Sequence, residues 1–82
     1  MSFIKNFNEI HPKFIQKLLK NFSDLTHREV LVCMYLKQNY SNKQISENMG
    51  ISKTTVDTFR HRARKKMNLK RSDSMISILN RL

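Results

Sequence analysis

Between Asn42 and His61 the chain has little choice of local structure. Ile45 and Met49 stand four apart, on one side of a helix. Ser46, beside Ile45, is small enough for a second helix to cross closely, and Gly50 is the only glycine in the sequence. Glycine is the residue that reverses a chain at positive φ after a helix. Ile51 then plugs the gap at the turn, while Val56 and Phe59 bury the inner side of a second helix. Two helices joined this tightly make a helix-turn-helix. The outer face of its second helix is left free to enter a DNA major groove.

Charge narrows the partner. Sixteen Lys and Arg against six acids give the 82 residues a net charge of +10. Lys53, Arg60, Arg62, Arg64, Lys65, Lys66, Lys70 and Arg71 crowd into one stretch, opposed there only by Asp57. A merely solvated face mixes signs, so this clustering argues for a polyanion. An apolar fraction of 39% with 27% charged residues suits one small globular domain. No apolar run is long enough to span a membrane and no secretory h-region is present, so a cytoplasmic setting is expected. One cysteine excludes an intrachain disulfide, and three scattered histidines lack zinc spacing. Paired carboxylates, a Cys-His set and a glycine-rich phosphate loop are all missing, which argues against an enzyme. No metal, cofactor or small-molecule ligand is expected.

The chain reads as all-α. Phe3, Ile4, Phe7 and Ile10 recur at helical spacing, and His11-Pro12 should end that first helix. Phe14, Ile15, Leu18, Leu19 and Phe22 form the stripe of a helix from about Pro12 to Asn21. Thr26 with Glu29 makes a capping box, Leu25 can staple back onto Val30, and the helix should run to about Gln38. Val32, Cys33, Tyr35 and Leu36 turn inward along it, Cys33 as a small core residue. Asn39 suits a left-handed C-terminal position. Ser41 caps the next helix with Gln44 as partner, and Ser52 caps one extending to about Met67. Ser72 with Asp73 should start a last helix carrying Met75, Ile76, Ile78, Leu79 and Leu82.

On a helical wheel, Val56, Ala63 and Met67 share one side of the helix from about Lys53 to Met67, with Phe59 flanking. Thr54, Thr58, His61 and Lys65 point the other way, flanked by Asp57 and Arg62. Short hydrogen-bonding groups thus come first, where such a helix reaches deepest, and bases follow. Thr54 and Thr58 suit base edges or a thymine methyl, and Asp57 suits a cytosine amine. Arg62 and Lys65 suit phosphates, Arg62 equally a guanine. Asn42, Lys43, Lys53 and Thr55 sit at helix N-termini, where free amides and the positive dipole end favour phosphate. Each position has a plainer reading. Asp57 could pair with Lys53 or His61, His61 could be a surface residue, and Asn42 and Lys43 ordinary first-turn residues. Arg60 projects near the core side, its stem on apolar surface and its head within reach of Glu29.

From Leu25 to Leu69 the chain resembles the LuxR-type (FixJ-type) helix-turn-helix domain of bacterial transcription regulators. The matching residues are Leu25-Thr26 with Arg28-Glu29, Ser41-Asn42-Lys43-Gln44-Ile45, Ile51-Ser52 with Thr55-Val56, and Lys66-Met67 before Leu69, all spaced without insertion. Many members have glycine at Asn39, alanine at Ser46, leucine at Met49 and lysine at Asp57. The resemblance implies a four-helix DNA-binding core, residues 25–82, that dimerises through its last helix. It also makes residues 1–24 a connector-like helical extension of one or two short helices. Met75, Ile76, Leu79 and Leu82 are then candidates for a homodimer contact, since five apolar residues in 75–82 exceed what so small a body buries on one face; the alternative is that this helix simply closes the intramolecular core. The expected function is sequence-specific double-stranded DNA binding by a transcription regulator. Two alternatives stand beside it: a sigma-factor region-four-like domain, with RNA polymerase as partner, and a helical protein-interaction module.

Overall fold

Ser2, Thr26, Ser41, Ser52 and Ser74 each accept a hydrogen bond from an amide three residues on, and each starts a helix. The computed structural model describes residues 2–82. Among these it contains six helices and no strand: α1 (Phe3–Ile10), α2 (Phe14–Asn21), α3 (His27–Lys37), α4 (Asn42–Met49), α5 (Lys53–Lys66) and α6 (Met75–Asn80). The capping boxes of Thr26 with Glu29 and Ser41 with Gln44 are both closed, so each satisfies two otherwise orphaned amides.

Two helix starts differ from the sequence reading. α2 begins at Phe14, because Lys13 rather than Pro12 is the half-helical flanking residue. α6 begins at Met75 with Ser74 as its cap, not at Ser72-Asp73. The Asp73 carboxylate is occupied elsewhere: its Oδ2 accepts from the Lys70 amide at 2.8 Å and closes the preceding turn. Asn39 (φ 63°) and Asn68 (φ 57°) both end helical segments in the left-handed region; the second was not anticipated.

α3 is the central helix. Val30, Val32, Cys33, Met34, Tyr35 and Leu36 are all buried along it, and it packs against both α5 and α6. α1 and α2 join the same core through Phe7, Phe14 and Leu18. The Phe3 ring stacks on Tyr35 with centroids 4.1 Å apart and meets Tyr40 edge-on at 5.5 Å. Lys37 donates from Nζ to the Leu79 carbonyl at 3.1 Å while lying over the Phe14 ring, so it ties α3 to the end of α6. Burial pushes the Cys33 thiol up to about 12, with the Glu29 charge adding to it, which leaves the thiol protonated and inert.

Met75 and Leu79, read from sequence as part of a surface between copies, point into this core and are 2% and 0% exposed. The small body does bury them, because α6 lies directly on α3. Of the apolar set on the last segment, Ile76 is 37% exposed and Leu82 half-buried.

Candidate nucleic-acid interface

α4 and α5 pack on each other across a turn that Gly50 makes possible. Gly50 sits at φ 67°, ψ 35°, and its amide and that of Ile51 both bond back to the Ser46 carbonyl. Ser46 itself is buried at the crossing, its hydroxyl donating to the Lys43 carbonyl at 2.8 Å. Ile45 is fully buried and Ile51 packs against the core at the turn.

α5 divides cleanly into two sides. Val56 and Ala63 are fully buried and Met67, just past its end, is 4% exposed; Phe59 packs beside them. Lys53, Thr54, Asp57, Thr58, His61, Arg62 and Lys65 are all exposed. Apolar burial on one side therefore fixes which polar side chains stand outward on the other.

Polar contacts fix the helix further. Glu29, 2% exposed, receives the Lys66 ammonium at 2.7 Å and the Thr26 amide at 2.9 Å. Burial alone would raise the Glu29 carboxyl, but Lys66 and Thr26 outweigh it and hold it below its ordinary value of 4.5. Lys66, not Arg60, is thus the partner of Glu29. The two bases lie six residues apart, about 9 Å along the helix, so only one end of α5 reaches the first turn of α3. Arg60 instead donates to Asn42 Oδ1 at 2.6 Å, and Asn42 Nδ2 donates to Asp57 Oδ1 at 2.9 Å. This chain of three residues fastens the start of α4 to the middle of α5. Both ends of the Asn42 amide are occupied by it.

The arrangement also sets what each outward group has to offer. Asp57 keeps Oδ2 without a partner among the described residues, while its pairing is with Asn42 rather than Lys53 or His61. The Thr58 hydroxyl donates to the Thr54 carbonyl at 3.1 Å, so toward a ligand it presents lone pairs and a methyl. Thr55 is half-buried and its hydroxyl meets that of Ser52 at 2.9 Å; it belongs to the helix start more than to the outer face. Lys43 is exposed at the first turn of α4.

Sequence reasoning counted Arg64 among the clustered bases but gave it no role of its own. Its guanidinium donates to the carbonyls of Lys70 at 2.8 Å and Asp73 at 3.1 Å, folding that loop back onto α5. Arg71 is thereby brought beside His61 and Lys65 around a hollow of about 490 Å³. The signal available was only one more base in a basic run. Among the described residues no cluster of His, Cys, Asp or Glu suits a metal ion, and no helix is long and apolar enough to cross a membrane.

A tight helix-turn-helix whose second helix is apolar inside and basic outside defines a DNA-binding regulatory domain. Residues 23–79 match the family model for bacterial regulatory proteins of the luxR family. The chain belongs to that family. It is also 31% identical over 68 residues to the response regulator protein TmoT of Ectopseudomonas mendocina. That match covers 83% of this chain and 31% of the length of TmoT, so the chain spans about a third of this relative. No solved structure matches the chain.

Proposed function

We propose that the chain binds specific sites in double-stranded DNA by laying α5 in the major groove, as the effector domain of a transcription regulator in the bacterial cytoplasm. The division of α5 into a buried apolar side and an exposed polar side carries this reading. Thr54, Asp57, Thr58 and His61 meet base edges. Asp57 accepts from a cytosine amine through Oδ2, and Thr58 offers its methyl to thymine or its lone pairs to an amine. Arg62 contacts a phosphate or a guanine. Lys43, Lys53 and Lys65 neutralise phosphates, helped by amides at the starts of α4 and α5. Asn42 and Thr55, which the sequence suggested as contacts, serve as scaffolding: Asn42 holds Asp57 and Arg60 in place, and Thr55 steadies the cap.

Two copies on adjacent half-sites complete the assembly, meeting through what α6 leaves exposed, chiefly Ile76. One exposed isoleucine is too small a patch for a stable free dimer, so DNA brings the copies together. Selection from a random duplex pool at moderate salt tests the reading. The expected result is enrichment of a short motif in two symmetry-related halves. No enrichment over random duplex would sink it.

A further inference from the structure

α1, α2 and the start of α3 enclose an apolar groove of about 590 Å³ that the DNA reading leaves unexplained. Leu25, Val30 and Met34 form its buried floor, and Ile4 and Leu19, 48% and 36% exposed, stand on its walls. His27 and Arg28, in the first turn of α3, stand at its rim as exposed polar groups. No acidic side chain lines it; Asp24 lies between two lining residues in sequence but outside the groove. None of the lining residues belongs to α4 or α5, so the groove and the proposed DNA face are separate surfaces.

We infer that this groove receives an acidic amphipathic helix from a partner protein. Three observations select that occupant. The described residues contain no strand, so no sheet edge is present for an extended peptide to join. The lining apolar residues are all aliphatic, whereas proline-rich ligands dock on aromatic grooves. A helix presenting aliphatic side chains at i, i+3, i+4 and i+7 remains, and its apolar ridge fits a trough of branched side chains. Charge sets the flank of that helix. Arg28 and His27 stand at the rim and no carboxylate lines the groove, so the partner brings carboxylates to meet Arg28. A second copy of this chain is the wrong occupant on the same ground. Each copy carries +10, and none of its six helices has more acids than bases.

The experiment is a display selection of helical peptides with randomised sequence on the 82-residue chain, counter-selected on Leu19→Glu. Leu19 is on the groove wall and partly exposed, so the variant keeps its fold, and peptides that merely adhere to the basic face of α5 bind both proteins and are discarded. Enriched peptides are expected to share the aliphatic spacing and an excess of Glu and Asp. Leu19→Glu should weaken an enriched synthetic peptide at least about tenfold, since it removes a buried leucine contact and adds repulsion. Arg28→Ala should weaken it about threefold, the worth of a rim ion pair. Saturating duplex DNA should leave the peptide bound. Three outcomes would overturn the inference: no enrichment over the variant, enrichment of neutral or basic helices, or concentration-dependent self-association that Leu19→Glu abolishes. The last would assign the groove to a second copy. Because wild-type DNA affinity is measured apart, failure here leaves the DNA reading untouched.

Discussion

Glu29 shows how much one side chain does in so small a body. Its carboxylate closes the cap of α3 and anchors the far end of α5 through Lys66, with almost no exposure to water. Its folded value lies below the ordinary 4.5, so it favours the folded state fully above that value. That contribution fades as pH falls through 4.5 toward the lower folded value. Thermal melts from pH 7 to pH 3 should show wild type losing stability in that window. Glu29→Gln keeps an acceptor for the Thr26 amide but loses the charge, and should start less stable with a flatter acid slope. Asp57 is a second single-residue test. Asp57→Ala removes one acid from a basic face, so affinity for random duplex should rise slightly while preference at one base pair is lost. Competition binding with duplexes altered at each position checks both halves of that statement.

At the scale of elements, the turn between α4 and α5 depends on one backbone angle. A Cβ at Gly50 would meet nothing within 4 Å, so a substitution there is opposed by the positive φ and not by crowding. Gly50→Ala should therefore cost about 1 kcal/mol, and Gly50→Asn less, because asparagine tolerates the left-handed region. Denaturant midpoints measure this. The mutual orientation of α4 and α5 also rests on Asn42, which bridges Asp57 and Arg60. Asn42→Ala should weaken specific binding more than random-duplex binding, since Asp57 loses its orientation while no phosphate partner is removed.

For the whole molecule, the radius of gyration of 12.0 Å matches the roughly 12 Å expected of a compact chain of this length. α1 and α2 are therefore folded onto the rest, with Phe7, Phe14 and Leu18 inside the common core. If, on the proposed reading, one such body makes about five phosphate contacts, the logarithm of its affinity should fall against log salt with a slope near −4.5 per copy. Anisotropy titrations between about 50 and 200 mM salt check the slope. Sedimentation of the free chain should show a monomer, and with a symmetric duplex site two chains per duplex.

Local order was legible because its causes are local. The caps at Thr26, Ser41 and Ser52, the left-handed Asn39 and the reversal at Gly50 each involve residues within a turn of one another. The two-sidedness of α5 follows from its own period, which is why Val56 and Ala63 could be placed inside and Thr54, Thr58 and Lys65 outside from residue types alone. Contacts between helices were not legible. Asn42 with Asp57, Asn42 with Arg60, and Lys66 with Glu29 join residues 15, 18 and 37 positions apart, and no helical period reports which base on one helix reaches which acid on another. The same limit governed α6, where five apolar residues suited a contact between copies and closure of the core alike, and only packing turns Met75 and Leu79 inward against α3. Sequence alone decided the helices and their faces, since those depend on neighbours along the chain. Which faces meet, and which are left for DNA or a partner, was decided by packing.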